Sequence, residues 1–331
     1  MKQKRFTFLL LFVANLFCAS AQKWYTPEID QKVEDLLKQM TVEEKLGYIG
    51  GVNWMYTKSI DRLGIHRMKM SDGPQGLGTN GKSTAYPSTV TLAATWNENL
   101  AYQYGKALGR DCRARNVNVI LGPAVNIYRA PMCGRNFEYM GEDPYLTSRI
   151  CVGYIKGVQD QGVMATVKHF VANNSDYDRN NISNDIDERT LNEIYFPAYK
   201  AAIQEAEVGA VMTSYNLMNG IYTTENPWLL KEVLRNQWGF KGLVMSDWGS
   251  THYCVPAAKG GLDLEMAGGE KMNPKDMAYY LKTGDVTMDM VDEKVRHILR
   301  ILIAFGFKDG TQADKNIPLD DPKSAETALN V

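Results

Sequence analysis

The chain has few cysteines, almost no net charge and only one long apolar run, and each shortage excludes a class of protein. Its 331 residues carry a formal net charge of -1, and Lys and Arg cluster only at the extreme N-terminus. Nucleic-acid binding is not expected, because phosphate backbones demand a basic excess. The five cysteines include no Cys-x-x-Cys pair, so neither a zinc site nor a particular disulfide is predicted. We expect no metal and no cofactor.

The one long apolar run lies at the N-terminus. Basic residues precede an apolar stretch over residues 6–17, and the small residues 19–21 follow it. This order is typical of a cleaved signal peptide, here residues 1–21, with a mature chain that starts at Gln22. A membrane anchor is the alternative, but the stretch is too short to span hydrocarbon. We therefore expect a secreted or periplasmic protein without a membrane partner.

Beyond this segment, strand-like apolar runs alternate with amphipathic helices, a pattern typical of βα units around a parallel sheet. Six runs end near Met70, Leu121, Lys168, Ser214, Met245 and Leu264. Helices are predicted at 96–115, 143–161, 188–206, 227–237 and 287–306. The sequence thus predicts an α/β fold, a TIM-type (β/α)8 barrel with irregular or missing strands near the N-terminus. A doubly wound sheet is the alternative, but no Gly-x-Gly-x-x-Gly follows the first strand.

Polar side chains stand at five of these strand ends, where parallel-sheet enzymes keep their chemistry. The ends carry Asp72, then Lys168 with His169, then Tyr215, then Asp247 with Trp248, and finally Asp263 with Glu265. Each has a structural explanation of its own. Asp72 suits a turn, Lys168 suits an ion pair, His169 suits a core histidine, and Asp247 suits the cap of the next helix. Five such groups on one rim nevertheless favour a common site.

The chemistry of this set suits a sugar. A carboxylate such as Asp72 accepts hydrogen bonds from paired hydroxyls, while Lys168, His169 and Arg135 donate to the same ring. The Trp248 indole provides a flat apolar wall. A carboxylate beneath the anomeric carbon, here Asp247, either stabilises an oxocarbenium-like state or attacks to form a covalent glycosyl intermediate.

Five motifs carry a family resemblance. In chain order they are MKMSDGP at 68–74, CGRNFEYMGEDP at 133–144, VKHF at 167–170, DERTL at 187–191 and VMSDW at 244–248. Over residues 26–331 the chain resembles glycoside hydrolase family 3, in its β-glucosidase branch. The resemblance implies a retaining, exo-acting enzyme that removes terminal non-reducing β-D-glucosyl residues from a β-glucoside or oligosaccharide through a glycosyl-aspartate. It implies Asp247 as nucleophile, and a sugar subsite made of Asp72, Arg135, Lys168, His169, Met212, Tyr215 and Trp248.

The same resemblance raises the question of the general acid. In the multi-domain branch, a Glu on a second α/β sandwich domain protonates the leaving group. The resemblance therefore implies a barrel domain at 22–315, a linker that starts at 316–331, and an absent C-terminal sandwich domain that completes the site. A single-domain branch uses a His after its Lys-His-Phe strand, but residues 171–187 contain no His. Glu138 and Glu265 are possible substitutes, although Glu138 better suits an ion pair with Arg135.

Three alternatives remain open. Lys168 could form a Schiff base, as in barrel aldolases, if a dry site lowered its pKa. A chain without its acid could be a non-catalytic sugar-binding barrel. A related β-xylosidase-type glycosidase would share the same motifs.

Overall fold

The computed structural model describes residues 24–79, 81–309 and 312–331. The predicted signal peptide, residues 1–21, lies outside the described residues. Within them, no helix has both the length and the apolar character needed to cross a membrane.

A parallel sheet forms the centre of the molecule. The described strands are β1 Gly51–Val52, β2 Tyr56–Thr57, β3 Met70–Asp72, β4 Val119–Leu121, β5 Met164–Phe170, β6 Ser183–Asn184, β7 Ala210–Thr213, β8 Leu217–Met218, β9 Ile221–Tyr222 and β10 Leu243–Met245. Five of them pair in parallel in the order β10-β7-β5-β4-β3. Every residue of β4, β5, β7 and β10 is buried, as expected for strands covered on both faces.

Shorter pairings close this sheet into a ring. Beyond β10, Leu264 bridges Met245 in parallel, and Glu265 bridges Gly50. The strands β1 and β2 pair antiparallel, and Met70 N donates to Met55 O at 2.8 Å. The barrel predicted from the sequence is therefore confirmed, with β2 running against the other strands. The run near Leu264 contributes isolated bridges rather than a full strand.

Helices surround the ring. Their bounds are α1 Pro27–Gln39, α2 Val42–Tyr48, α3 Thr89–Ala94, α4 Glu98–Ala114, α5 Pro144–Gln159, α6 Glu188–Thr190, α7 Pro197–Gln204, α8 Cys254–Gly260, α9 Pro274–Thr283, α10 Met288–Ala304 and α11 Pro322–Asn330. Several begin as the sequence indicates. For example, Thr41 and Glu44 form a capping box at α2, and Asp143 caps α5.

The helix predicted at 188–206 is divided in the structure. The π-helical segment Leu191–Tyr195 separates α6 from α7, and Phe196 N bonds to Leu191 O. Pro197 explains the division, because proline has no N–H for the ladder of a continuous helix and is tolerated at a helix start. The helix predicted at 227–237 is also π-helical, over Trp228–Gln237.

The last residues return to the barrel. Residues 316–331, predicted as the start of a linker, contain α11, and Ser324 Oγ on this helix donates to the buried Asp111 of α4 at 2.8 Å. Whether this stretch leads into another domain stays a prediction.

Candidate active site

A cavity of about 300 Å³ opens at the carboxyl ends of the parallel strands. Seven of the eight predicted site residues line it; only His169 lies outside the lining. The complete lining is Trp54, Met55, Asp72, Thr79, Leu121, Arg135, Lys168, Arg179, Met212, Tyr215, Asp247 and Trp248. The fold thus brings together residues from the turn between β1 and β2 to the loop after β10.

Asp247 lies two residues after β10, with only 7% of its surface exposed. Its Oδ1 accepts the main-chain N–H of Trp248 at 2.7 Å. Its Oδ2 lies 3.8 Å from Arg135 Nη1 and 3.6 Å from His169 Nε2 and has no hydrogen bond of good geometry from the described residues, although the Tyr215 hydroxyl is close enough to the carboxylate to lower its pKa. Buried polar atoms without a partner are rare in proteins, so this oxygen is suited to contact a ligand.

The helix-cap explanation of Asp247 is wrong. The next helix, α8, begins at Cys254, and its N-cap residue is Tyr253. Burial raises the pKa of Asp247, while the positive charges of Arg135 and Lys168 oppose that rise.

Lys168 is buried at the centre of the site. Its Nζ lies 3.0 Å from Asp72 Oδ1 and 3.7 Å from Glu138 Oε2. Burial alone would lower the pKa of Lys168, but the charges of Glu138 and Asp72 outweigh it and raise the pKa above its ordinary value. In turn, although burial opposes it, Lys168 lowers the pKa of Asp72. Both groups are therefore charged at neutral pH.

Arg135 is held from two sides. Its Nε pairs with Glu138 Oε1 at 2.5 Å, and its Nη2 lies 2.8 Å from His169 Nε2. The sequence-based assignment of Glu138 as the ion-pair partner of Arg135 is confirmed. The remaining nitrogen, Nη1, is the one nearest Asp247.

His169 is completely buried and supports the cavity from behind. Its Nδ1 lies 3.2 Å from Asn126 Oδ1, and its Nε2 meets Arg135. The sequence interpretation makes His169 a donor to a sugar. In this structure, both ring nitrogens are engaged by protein atoms instead.

Aromatic side chains form one wall of the cavity. The Trp248 indole N–H donates to the main-chain carbonyl of Trp54 at 2.8 Å. On another side, the Arg179 guanidinium stacks 4.2 Å above the Tyr215 ring. Burial and the neighbouring charge of Asp247 raise the pKa of Tyr215, so its hydroxyl stays protonated.

Sequence reasoning misses five lining residues, which are Trp54, Met55, Thr79, Leu121 and Arg179. Trp54 has a usable signal, since it directly follows Asn53, a residue that favours turns, and loops between strands often carry binding residues. Thr79 and Arg179 lie in irregular segments, and no periodic pattern marks such positions.

Neither proposed substitute for the acid reaches the cavity. The Glu138 oxygens face Arg135 and Lys168. The Glu265 carboxylate accepts main-chain N–H bonds from Lys271 and Met272 at 2.6–3.1 Å. The carboxylates in the lining are Asp72 and Asp247.

With this geometry in place, comparison with known proteins identifies the family. The model of the glycosyl hydrolase family 3 N-terminal domain matches residues 38–301. The chain belongs to this family. The resemblance inferred from the five motifs is thereby confirmed.

Relatives and solved structures of the family are closely similar over most of the chain. A β-glucosidase of Rhizobium radiobacter is 44% identical over 280 residues, covering 83% of this chain and 34% of the relative. Thermostable β-glucosidase B of Acetivibrio thermocellus is 41% identical, covering 86% of this chain and 40% of the relative. The chain therefore spans well under half the length of these curated relatives.

Among solved structures, β-glucosidase 3B of Thermotoga neapolitana in complex with α-D-glucose matches with a TM-score of 0.84 at 37% identity. The match covers 90% of this chain and 46% of that one. The similarity thus covers most of this chain and less than half of that structure.

The arrangement has the parts that glycosyl transfer to a carboxylate requires. A buried carboxylate keeps one oxygen without a hydrogen bond of good geometry, and the positive charges of Arg135 and Lys168 stabilise its ionised form. A second, paired carboxylate and an aromatic wall complete the lining.

Proposed function

We propose that this chain carries the nucleophile and sugar subsite of a retaining, exo-acting β-glucosidase. Its substrate would be a terminal, non-reducing β-D-glucosyl residue of a β-glucoside or oligosaccharide. The observation that carries the proposal is the buried Asp247, which lines a cavity of about 300 Å³ beside Arg135 and Lys168 and whose Oδ2 has no hydrogen bond of good geometry from the described residues.

In the first step, Asp247 Oδ2 attacks the anomeric carbon, and the bond to the aglycone oxygen breaks. The electron pair of that bond leaves with the aglycone. The N–H of Trp248 holds Asp247 Oδ1, so the second oxygen is the one oriented for attack. Water then displaces the aspartate and releases glucose with net retention.

Binding of the sugar falls to the charged residues around Asp247. Asp72 would accept hydroxyl protons, and Lys168 and Arg135 would donate to ring hydroxyls. Because Lys168 and Asp72 already pair at 3.0 Å, a diol that bridges both would find donor and acceptor in fixed positions. Trp248 would pack on the apolar face of the sugar.

Protonation of the aglycone needs a group outside the cavity lining. Asp72 pairs with Lys168, and Asp247 is the attacking group, so neither is suited to be the acid. We assign this role to a carboxylic acid of a further domain, as the family resemblance implies.

Leaving-group dependence tests this assignment. A dinitrophenolate departs without a proton, whereas an alkoxide requires one. The chain should therefore release dinitrophenol slowly from dinitrophenyl β-glucoside, and it should not hydrolyse cellobiose. Azide, which attacks without a general base, should accelerate release and yield β-glucosyl azide.

The matched control is the Asp247→Asn variant, with folding checked by circular dichroism. If the parent chain and Asp247→Asn released dinitrophenol at the same rate, with and without azide, Asp247 would be refuted as the nucleophile. Ready hydrolysis of cellobiose would instead refute the inference that the general acid lies outside the cavity lining. The same assay with the β-xyloside tests the β-xylosidase alternative.

A non-catalytic sugar-binding barrel is the second candidate, favoured by the absence of a free acid from the described lining. It predicts that glucose raises the melting temperature of the chain while the dinitrophenyl glucoside is not turned over. A Schiff-base aldolase has no such support. The raised pKa of Lys168 keeps its amine protonated and unable to attack a carbonyl.

We propose further that the chain is exported and that residues 1–21 are removed. N-terminal sequencing of the protein secreted by its host would test this. A first residue other than Gln22 would move the cleavage site, and an intact Met1 would refute export with cleavage.

A further inference from the structure

The carboxamide of Asn126 extends the pairing between two segments of the barrel. Ala124 bridges Lys168 in parallel, and Val125 N donates to Lys168 O at 2.8 Å. One residue later the side chain of Asn126 replaces the main chain. Its Nδ2 donates to His169 O at 2.9 Å, and its Oδ1 accepts from His169 N at 2.9 Å.

This pair of hydrogen bonds fixes which end of the amide faces the imidazole. Nδ2 must face a carbonyl and Oδ1 must face an N–H, so the reverse orientation would lose both bonds. Oδ1 also lies 3.2 Å from His169 Nδ1. Because an amide oxygen only accepts, Nδ1 must carry the proton.

The opposite ring nitrogen is fixed by Arg135. Its Nη2 lies 2.8 Å from His169 Nε2, and a guanidinium only donates. Nε2 must therefore be unprotonated, which makes the ring a neutral imidazole with its proton on Nδ1. Burial and the charges of Arg135, Lys168 and Arg179 lower the pKa of His169, in agreement with a neutral ring.

We propose that Asn126 is a positioning residue that sets the tautomer of His169, so that the imidazole holds Arg135 with Nη1 directed towards Asp247. Its catalytic consequence rests on the proposed glucosidase function. With a proton on Nε2, the imidazole would have no lone pair for Arg135, and the guanidinium would lose one of its two anchors. The remaining anchor, Glu138, contacts Nε and leaves rotation about that end of the side chain possible.

Other groups around His169 do not dictate this tautomer. Tyr199 Oη donates to the His169 carbonyl at 2.7 Å, and the Tyr139 ring meets the imidazole edge to face at 6.2 Å. Asp247 Oδ2, 3.6 Å from Nε2, would favour a proton there, so Arg135 and Asn126 must outweigh it. The charged and titratable groups that face the ring are Arg135, Tyr139, Lys168, Arg179, Tyr199 and Asp247.

Nitrogen-15 NMR of the histidine-labelled chain reads the tautomer without any substrate. The chain has four histidines, so a His169→Gln spectrum assigns the signal. We expect a proton on Nδ1 and a bare Nε2 from pH 5 to 8. A proton on Nε2 in the parent chain would overturn the proposal whatever the variants do.

Two variants then test the role of the amide. In Asn126→Ala the ring should no longer hold one tautomer, and kcat on the dinitrophenyl glucoside should fall about tenfold with KM nearly unchanged. In Asn126→Asp the new carboxylate beside Nδ1 favours the imidazolium. His169 then protonates at higher pH, and the acid limb of kcat should move upward. An unchanged His169 signal in both variants would refute the role of Asn126.

Asn118→Ala is the matched control, since Asn118 is also a buried asparagine next to β4, and its Oδ1 accepts from Lys69 N at 2.8 Å. It should lose comparable stability but keep the His169 signal and the pH profile. The two hypotheses fail separately. A correct tautomer without turnover would refute the glucosidase activity, while unchanged turnover in Asn126→Ala would refute the positioning role.

Discussion

The indole Nε1 of Trp248 donates to the main-chain oxygen of Trp54 at 2.8 Å, although 194 residues separate the two. This bond joins the first turn of the barrel to the loop that bears Asp247. It leaves the Trp54 side chain 65% exposed at the mouth of the cavity. Under the proposed function, Trp54 thus has a surface available to whatever group is attached to the sugar.

Removal of this surface should weaken aglycone binding. In Trp54→Ala the bond to Trp248 survives, because it uses the main chain. We expect KM for an aryl β-glucoside to rise roughly 3- to 10-fold, or ~0.7–1.4 kcal/mol, with kcat nearly constant. Trp96→Ala is the control, since Trp96 is 73% exposed but does not line the cavity. Equal effects of the two variants on KM would contradict a role for Trp54.

Asp247→Asn should abolish turnover and preserve the fold. The amide is the same size as the carboxylate but cannot attack, so kcat on the dinitrophenyl glucoside should fall by about 1,000-fold or more. Circular dichroism and the melting temperature provide the control for folding. A variant that keeps a tenth of the parent rate would exclude Asp247 as nucleophile.

The acid limb of the rate profile should respond to Arg135. Asp247 must be ionised to attack, so activity rises with pH through its pKa. Burial raises that pKa, and Arg135 opposes the rise. In Arg135→Gln the opposing charge is lost, the pKa of Asp247 rises further, and the acid limb moves to higher pH. Rate profiles of both proteins on the dinitrophenyl glucoside test this; a limb that stays or moves down would contradict the coupling.

Asp72→Ala should change binding and chemistry together. Hydroxyl contacts strengthen in the transition state, so both kcat and KM should worsen, with kcat/KM lower by about tenfold or more. The matched control is Asp35→Ala, an exposed carboxylate on α1. If Asp72→Ala altered neither kcat nor KM by more than about twofold, the role of Asp72 would be limited to the turn. Its Oδ1 accepts the main-chain N–H of Gly73, which is consistent with that role.

Lys294 predicts a pH dependence of stability that is independent of the site. It is buried, its Nζ donates to Ala258 O at 2.8 Å, and burial lowers its pKa to about 8. Since the unfolded chain keeps the ordinary value near 10.4, it binds more protons than the folded chain between these limits. Stability due to Lys294 therefore rises with pH from about 8 to about 10.4.

Lys294→Met removes this titration. The charged lysine costs about 3 kcal/mol below its folded pKa, partly offset by the bond to Ala258 O. The variant should therefore be more stable than the parent at pH 7, and the advantage should shrink as the pH approaches 10. Urea unfolding at pH 7, 8.5 and 10 checks this. If the stability advantage of Lys294→Met grew with pH, it would contradict a lowered pKa of Lys294 in the folded chain.

Much of the fold could be predicted from the sequence because burial leaves a simple pattern. Strands covered on both faces appear as continuous apolar runs, and β4, β5, β7 and β10 ended close to the predicted residues. The sequence predicts irregular strands near the N-terminus, but their bounds and pairing could not be predicted. The two-residue strands β1 and β2 are too short for any periodicity, and Leu264 pairs through isolated bridges.

The same division applies to the site. Residues near the ends of buried strands, such as Lys168 late in β5 and Asp247 two residues after β10, could be placed from the apolar runs alone. Arg135 lies well beyond β4, and only the family motif marked it. The engagement of His169 with Asn126 could not be foreseen, because it depends on the geometry of two side chains that no spacing rule connects.

The way in which the barrel closes has a consequence for how the chain acquires its shape. Gly51 N donates to Glu265 O, and Glu265 N donates to Ile49 O, each at 2.9 Å. These bonds join the early and late parts of the sequence, so the ring cannot be completed until the ribosome has made both. Contacts of such separation form slowly, since a long loop must be closed before they are gained. A growing chain therefore has no closed ring around the cavity until synthesis has passed Glu265.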